Sequence, residues 1–244
     1  MTWVKICGMT NLEDALTAVE AGADAVGFVF YEKSPRNITV EAAREIVEKL
    51  PESVEKIGVF VNGDSVEPWK IVLEAGLTGW QTYATAPGGT LGSQNTGVDL
   101  NLLPKLTRFL PSLPMNLFGE SEEQIRSLAS SFATWAKPPE GFDLLGRLMN
   151  TIVLDSGGLR KPGGTGKAFD WDKAVPVAEG MRRGGVKLVV AGGLNPQNVG
   201  EAMKILQPWG VDVVSGVEAK PGKKDPEKVR AFVRVVREMD RKTS

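Results

Sequence analysis

Cys7 is the only cysteine of a 244-residue chain that contains no histidine. It ends the first apolar run, Trp3 to Cys7, and Gly8 then begins a turn toward a helix predicted to start near Asn11. Barrels of alternating strands and helices carry their chemistry at the carboxyl ends of the strands. Because imidazole is absent, acid and base catalysis must fall to carboxylates, lysines or this thiol. Cys7 is therefore a candidate catalytic residue, and a small buried hydrophobe is the alternative.

Lys5 is expected one layer beneath Cys7. Side chains alternate in direction along a strand, so Lys5 and Trp3 share a face with Cys7, while Val4 and Ile6 face the other way. A nearby ammonium group favours the thiolate form of a cysteine. We therefore expect Lys5 to help make Cys7 a usable base or nucleophile.

Asp155 is the second candidate, at the end of the apolar run Thr151 to Asp155. Poor hydration at a strand end favours the protonated carboxyl group, so Asp155 could act as a general acid near neutral pH. A turn-forming or helix-capping aspartate is the alternative.

A glycine-rich loop, Gly163 to Trp171, follows this strand and carries Lys167. It is not a Walker A loop, because Ala168 follows Lys167 and the required upstream glycine is missing. The loop is either a lid that closes over a substrate or a plain flexible turn.

Two late glycine-bearing turns predict a phosphate site. Gly192 and Gly193 follow the seventh predicted strand, while Ser215 and Gly216 follow the eighth and lead into a possible short helical turn. Barrels often bind phosphate groups with the loops after strands seven and eight. The alternative is that these glycines only relieve backbone strain at strand ends.

Arg36, in the loop after the second strand, could bind a carboxylate through two parallel hydrogen bonds. A solvated surface arginine is the alternative. No group of histidine, cysteine and carboxylate residues has a spacing typical of metal ligands. We therefore predict no metal.

The elements that must position these residues are predicted to be eight strand-helix units in one domain, residues 1–244. Their alternation favours a parallel sheet, and the count of eight favours a single (β/α)8 TIM barrel. A doubly wound open sheet is the rival, but no G-x-G-x-x-G follows the first strand. The predicted strands are Val4–Cys7, Ala25–Phe30, Lys56–Val61, Gly79–Tyr83, Pro114–Phe118, Thr151–Asp155, Val186–Ala191 and Val211–Ser215. Their helices are predicted to begin near Asn11, Thr39, Asp64, Leu100, Ser121, Asp170, Asn195 and Asp225.

Two stretches interrupt this pattern. Residues Ala84 to Gly97 are rich in small and polar residues and are predicted to form a long loop after the fourth strand. A mobile lid over the site is the function that this position suggests. Residues Phe132 to Asn150 carry two consecutive prolines, and the pattern assigns them no element.

Composition excludes several classes of function. The 29 basic and 30 acidic residues give a net charge of -1, so no global field recruits nucleic acid or an anionic membrane. The chain has no signal-peptide pattern and no apolar run of transmembrane length, so we expect a cytoplasmic protein. The expected partner is a small phosphorylated molecule, with no nucleic acid and no membrane, bound by a monomer or homodimer.

Together these motifs resemble the phosphoribosylanthranilate isomerase family over most of the chain, except from Gln81 to Asn150. The matching segments are Val4–Asn11, Gly22–Asp24 with Gly27–Phe30, Ser34–Arg36, Gly58–Asn62, Leu154–Asp155 with Gly163–Trp171, Ala191–Pro196, Val214–Glu218 and Pro221–Asp225.

The resemblance implies an Amadori rearrangement of phosphoribosylanthranilate in tryptophan biosynthesis, without a cofactor. It implies that Asp155 is the general acid that opens the ribose ring and Cys7 the general base that removes the C2 proton. It places Arg36 against the anthranilate carboxylate and Gly193, Ser215 and Gly216 around the phosphate. The full set of substrate-binding residues it implies is Arg36, Gln81, Gly164, Gly192, Gly193, Ser215 and Gly216.

One position departs from the family pattern. The family usually has Gln-Leu-His-Gly at the end of the fourth strand, where this chain has Gln81-Thr82-Tyr83-Ala84. Tyr83 could replace the hydrogen bond of the missing imidazole. This departure raises a weakened or redirected activity as an alternative.

Two rival functions remain open. Histidine-pathway sugar isomerases and their dual-substrate relatives perform the same rearrangement on a larger bisphosphate, but they place a carboxylate where this chain has Cys7 and need a second phosphate site. A catalytically weakened barrel that only binds a phosphate ligand is the rival from another class. Measured turnover separates these alternatives.

Overall fold

A computed structural model describes residues 1–61, 68–83, 108–114, 150–156 and 169–243 of the chain. Within these ranges, eight parallel strands form a closed barrel in which β8 pairs with β1. The strands are β1 (Trp3–Cys7), β2 (Ala25–Phe30), β3 (Glu55–Val61), β4 (Gly79–Tyr83), β5 (Arg108–Pro114), β6 (Thr151–Asp155), β7 (Lys187–Val190) and β8 (Gly210–Val213). The predicted (β/α)8 barrel is confirmed.

In the described ranges a helix follows each of β1, β2, β3, β6, β7 and β8, and side chains at the first turns fix where several helices begin. Asn11, Thr39 and Asp170 each accept a hydrogen bond from a backbone N–H in the first turn of the helix that follows, which confirms the helix starts predicted near these residues. The described helices are α1 (Leu12–Glu20), α2 (Val40–Val47), α3 (Pro68–Glu74), α4 (Trp171–Arg183), α5 (Val199–Leu206) and α6 (Pro226–Thr243). None of them is long and apolar enough to cross a bilayer.

A short 3-10 helix, Ser215–Val217, follows β8 at the position where the sequence predicts an extra helical turn. It leads into a small antiparallel hairpin of β9 (Glu218–Lys220) and β10 (Lys223–Lys224). This segment lies at the carboxyl end of the barrel, beside the first turn of α6.

The fifth strand lies earlier than predicted. The prediction of Pro114–Phe118 is wrong, because β5 runs from Arg108 to Pro114; residues 115–118 lie outside the described ranges. Pro111 stands inside the observed strand. Proline cannot donate to a sheet ladder and therefore argues against a strand in the sequence. Closure of the barrel between β4 and β6 overrides this local preference.

The start of α5 also differs from the prediction, because the helix begins at Val199 rather than near Asn195. The Asn195 side chain accepts hydrogen bonds from the backbone N–H groups of Gln197 and Asn198, at 2.8 and 3.1 Å. These bonds hold a separate turn that precedes the helix.

Several predicted elements lie outside the described residues. They are the helix starts near Asp64, Leu100 and Ser121, the loop Ala84–Gly97, residues 132–149, and residues 163–168 of the glycine-rich loop.

Two apolar layers follow from the alternation of side chains along the strands. Val4 and Ile6 of β1 pack in the outer layer, between the barrel and its helices. Trp3, Lys5 and Cys7 occupy the other face, and Trp3 packs inside the barrel with residues of the other strands. The predicted division of β1 between its two faces is therefore observed.

Aromatic and charged side chains close the amino-terminal end of the barrel. Trp3 and Trp209 stack with ring centroids 5.4 Å apart, and the Arg108 guanidinium lies 5.4 and 4.9 Å from their centroids. Arg108 also makes two hydrogen bonds of 2.6 Å with Glu55. Because this end is filled, a ligand would enter at the carboxyl ends of the strands.

Candidate active site

The carboxyl ends of the strands carry both predicted catalytic residues. Cys7 is the last residue of β1 and Asp155 the last residue of β6, and each is only 3% exposed. Tyr83, the last residue of β4, interacts with both. Its hydroxyl donates a hydrogen bond to Asp155, and Cys7 contributes to raising the pKa of the phenol. A thiol and a carboxyl group therefore face the same mouth of the barrel.

Gly27 makes room for the Cys7 thiol. The two residues are partners in the β1–β2 register. A methyl group added at Gly27 would lie 2.5 Å from Cys7 Sγ and 3.1 Å from Lys5 Cε. The same position of β2 therefore contacts both the thiol and the stem of the lysine beneath it, which places Lys5 beside Cys7 as predicted.

A buried polar layer lies beneath the thiol. Lys5 Nζ donates to Asp212 Oδ2 at 2.7 Å and to Gln81 Oε1 at 2.8 Å. Gln81 Nε2 in turn donates to Ser112 Oγ at 2.8 Å. Burial acts to lower the pKa of Lys5, but Asp212 and Cys7 outweigh it and the pKa is raised. Lys5 is therefore a permanent positive charge inside the barrel.

Burial decides the protonation of Cys7. Removal from water raises the pKa of the thiol, the Lys5 and Lys224 ammonium groups lower it, and the Asp212 carboxylate raises it. The net shift is upward, because burial and the Asp212 charge together outweigh the two lysines. Lys5 acts in the expected direction, because its charge lowers the pKa of the thiol, and the role of Cys7 as a base stays a prediction.

Tyr83 is hydrogen-bonded to the predicted acid. Its Oη donates to Asp155 Oδ2 at 2.7 Å. Burial raises the pKa of Tyr83 well above its ordinary value, and the negative charge of Asp155 raises it further. The phenol therefore stays protonated and serves as a donor throughout the physiological pH range.

Arg36 makes the two parallel hydrogen bonds that its sequence position predicts, although the carboxylate belongs to the chain itself. Arg36 Nε and Nη2 donate to Glu218 Oε1 and Oε2 at 2.8 and 2.7 Å. These bonds raise the pKa of Arg36. Burial acts to raise the pKa of Glu218, but Arg36 and Lys224 outweigh it and the pKa is lowered.

Lys224 completes this ion-pair cluster. It is 1% exposed and donates to Glu218 Oε1 and to the carbonyl of Val214, both at 3.1 Å. Burial lowers the pKa of Lys224, with the charge of Glu218 opposing that shift. Arg36, Glu218 and Lys224 therefore leave one net positive charge beside the mouth while all three are ionised.

The predicted phosphate loops lie against each other. Gly192 and Gly193 have φ of +82° and +67°, in the left-handed region that favours glycine. A methyl group at Gly216 would collide with the carbonyl oxygen of Leu194, so the 3-10 helix after β8 packs directly on the loop after β7. The turns that carry Gly192, Gly193, Ser215 and Gly216 thus lie together in one corner of the mouth, at the carboxyl ends of β7 and β8.

One predicted substrate contact has other surroundings, and another lies outside the described residues. Gln81 is 1% exposed, and its amide bonds to Lys5 and Ser112 in the buried layer; its contact with a substrate stays a prediction. Gly164 lies outside the described residues.

Sequence reasoning missed Asp212 and Glu218 as parts of the site. A usable signal exists for Asp212, because it is a charged residue between Val211 and Val213 in an otherwise apolar strand, where burial requires a partner. Glu218 offers no comparable signal, since it lies 182 residues from Arg36 in the chain.

Comparisons with known proteins give a consistent result. A family model described as N-(5'-phosphoribosyl)anthranilate isomerase matches residues 4–81 and 141–235. The enzyme of that name from Citrifermentans bemidjiense is 40% identical over 237 residues, covering 96% of each chain. The crystal structure of the phosphoribosyl anthranilate isomerase of Thermotoga maritima has a TM-score of 0.70 and 35% identity, covering 98% of this chain and all of that one. A further structure of such an isomerase, in complex with reduced 1-(o-carboxyphenylamino)-1-deoxyribulose 5-phosphate, has a TM-score of 0.69 and 34% identity, with the same coverage.

Proposed function

Because the chain belongs to the N-(5'-phosphoribosyl)anthranilate isomerase family, we propose that Cys7 and Asp155 are the base and the acid of its reaction. The reaction is the isomerisation of N-(5'-phosphoribosyl)anthranilate to 1-(2-carboxyphenylamino)-1-deoxyribulose 5-phosphate, in tryptophan biosynthesis. The observation that carries the assignment of residues is the position of both buried groups at the carboxyl ends of strands in one barrel, where Tyr83 bonds to Asp155.

The first step belongs to Asp155. Its carboxyl group gives a proton to the ring oxygen of the ribose while the bond from C1 to that oxygen breaks. The lone pair of the anthranilate nitrogen forms the new bond to C1 and produces a protonated Schiff base. Tyr83 keeps its hydrogen bond to Asp155 as the carboxylate acquires its negative charge.

The second step belongs to Cys7. Its thiolate removes the C2 proton, the electron pair moves into a C1–C2 double bond, and the positive charge of the nitrogen is neutralised. The resulting enolamine then gains a proton at C1 and loses one from the C2 hydroxyl to form the ketone. The substrate gains and loses no atom overall. The thiol proton that Cys7 gives up when its thiolate forms passes to solvent, and Asp155 regains a proton from solvent, so the enzyme returns to its starting state.

The raised pKa of Cys7 is compatible with this role in the liganded enzyme. Burial favours the neutral thiol when the site holds no substrate. A protonated Schiff base brings a positive charge close to the sulfur, and an opposite charge nearby favours ionisation. Lys5 and Lys224 already act in the same direction. The base is therefore activated at the stage when the reaction needs it.

The two ends of the substrate are assigned to two sides of the mouth. We place the phosphate in the corner formed by the turns after β7 and β8, with the backbone N–H groups of Gly193, Ser215 and Gly216 as donors and Gly192 allowing close approach. Gln81 and Gly164 are retained as further substrate-binding residues.

Arg36 is assigned to the anthranilate carboxylate at the other end. A guanidinium group has five N–H donors, and Glu218 accepts two hydrogen bonds from it. Three donors therefore remain unused by Glu218, and the net positive charge of the Arg36, Glu218 and Lys224 cluster favours a carboxylate there.

Turnover of freshly prepared phosphoribosylanthranilate by the wild-type protein tests the proposed function. We expect loss of the anthranilate fluorescence at a rate proportional to enzyme concentration. The same preparation should bind the product analogue, reduced 1-(o-carboxyphenylamino)-1-deoxyribulose 5-phosphate. Binding without turnover would instead support a barrel that only holds a phosphate ligand.

A further inference from the structure

We infer that Tyr83 is a positioning residue, whose hydroxyl fixes the orientation of the Asp155 carboxyl group relative to the bound sugar. The inference rests on the proposed function, in which Asp155 donates a proton. It adds a role for a residue that the catalytic steps themselves do not use.

The topology makes this contact a bridge across a strand. Tyr83 ends β4 and Asp155 ends β6, and β5 lies between these two strands in the barrel. Neighbouring strands are about 4.8 Å apart, so the side chains must span about twice that distance. A tyrosine hydroxyl at the end of a long rigid ring spans that gap and bonds to Asp155 Oδ2 at 2.7 Å.

The chemistry of the phenol suits a fixed donor. Burial and the Asp155 charge raise the pKa of Tyr83, so the hydroxyl carries its proton throughout the working pH range. It can therefore donate to Oδ2 both before and after Asp155 gives up a proton. The carboxyl group keeps one orientation through the step, and the bond becomes charge-assisted when the carboxylate forms.

The charges around the hydroxyl favour this assignment over proton removal by Tyr83 itself. Besides Asp155, the carboxylate of Asp212 and the sulfur of Cys7 each raise the pKa of the phenol. A buried phenolate close to the carboxylate of Asp212 and to two further acidic groups is disfavoured. Tyr83 is therefore a donor that acts through Asp155 rather than a second acid or base.

Tyr83→Phe tests the inference, because it removes only the hydroxyl from the ring. We expect kcat to fall about tenfold, the scale of one hydrogen bond to a charged group, with the Kd of the reduced product analogue changed by less than about twofold. The matched control is Tyr31→Phe, which removes the same atom from the chain's other tyrosine, in the loop after β2, and should leave kcat unchanged. Melting followed by circular dichroism establishes that both variants fold.

A double substitution separates action through Asp155 from a general structural role. In an Asp155→Asn background, adding Tyr83→Phe should lower kcat by less than about twofold, because the group that Tyr83 orients has already lost its proton-donating function. An equal tenfold loss in both backgrounds would overturn the inference, and so would a folded Tyr83→Phe enzyme with wild-type kcat.

The two proposals fail differently in this experiment. If the wild-type protein turns over phosphoribosylanthranilate and Tyr83→Phe matches it, only the role of Tyr83 is wrong. If the wild-type protein shows no turnover, the proposed function fails first, and the positioning role that rests on it fails with it.

Discussion

At the scale of single residues, the site combines a buried thiol, a buried carboxyl group and charges that act on both. Two opposing effects act on the pKa of Cys7: burial favours the neutral thiol, whereas two lysines favour the thiolate. Asp155 is held from one side by the phenol of Tyr83. The properties of each group therefore depend on burial and on neighbours from several strands rather than on its own position in the sequence alone.

The protonation of Cys7 can be measured directly, because it is the chain's only cysteine. Burial raises the pKa of the thiol above its ordinary value, so the unliganded enzyme should hold the neutral thiol at neutral pH and form thiolate only in alkaline solution. The ultraviolet absorbance of the thiolate, titrated with Cys7→Ser as the blank, follows this ionisation. Strong thiolate absorbance already at neutral pH would show that the lysines outweigh burial.

Gly27→Ala should disturb the thiol first, because Cys7 Sγ is the atom nearest to the added methyl group, with Lys5 Cε farther away at 3.1 Å. The added methyl group would lie 2.5 Å from Cys7 Sγ, so the thiol must move or the two strands must separate. We expect kcat to fall at least about tenfold and the free energy of unfolding to drop by about 1–3 kcal/mol, the range for overpacking a core.

The control for that substitution is Gly200→Ala in α5. There the nearest atom to an added methyl group is Val235 Cγ1 at 3.5 Å, an ordinary contact. Alanine also suits a helix better than glycine, so this variant should be as stable as the wild type or more so, with unchanged kcat. If both substitutions changed kcat equally, the proposal that Gly27 makes room for the Cys7 thiol would be contradicted.

At the scale of elements, the barrel depends on a polar layer that joins four strands. Lys5 of β1 bonds to Asp212 of β8 and Gln81 of β4, and Gln81 bonds to Ser112 of β5. Lys5 and Ser112 are fully buried. A buried ion pair of this kind is costly to break on one side, because the remaining charge stays in an apolar interior.

Lys5→Met should therefore lower the free energy of unfolding by more than the loss of the two Lys5 hydrogen bonds alone would, because the charge of Asp212 is left buried. We expect the free energy of unfolding to fall by about 3–5 kcal/mol, the cost of leaving a partner charge buried and unpaired. Adding Asp212→Asn should recover part of that loss, because it removes the stranded negative charge. Urea unfolding of the two variants measures both effects, and a double variant less stable than Lys5→Met would contradict this account of the layer.

The sequence predicts some elements of this site well, for reasons that are local. Alternation along β1 places Cys7 above Lys5, and capping side chains such as Asn11 and Thr39 mark where helices begin. Strand β5 was misplaced because its internal Pro111 argues against a strand, whereas pairing on both sides by β4 and β6 stabilises it.

The partners of the site residues could not be predicted in the same way. Lys5 and Asp212 are 207 positions apart, and they meet only because β8 closes onto β1. The net effect on the Cys7 pKa depends on how deeply closure buries the thiol, which no local pattern records. Long-range pairing therefore accounts for most of what the sequence alone left open.

At the scale of the whole molecule, the two ends of the barrel serve different purposes. The amino-terminal end is filled by the Trp3 and Trp209 stack, with Arg108 above both rings. The carboxyl end holds the thiol, the acid, the glycine turns and the Arg36 cluster. A net charge of -1 over the chain thus coexists with local positive charge at the mouth, where an anionic substrate is proposed to bind.

The most direct test of this account compares Cys7→Ser and Asp155→Asn with the wild-type enzyme. Each should lower kcat for phosphoribosylanthranilate by at least about a hundredfold, the scale for losing a general acid or base, while binding of the reduced product analogue is largely kept. Asp172→Asn, an exposed acid in the first turn of α4, is the control and should retain full turnover. If both site variants keep near-normal kcat, Cys7 and Asp155 are not the catalytic pair.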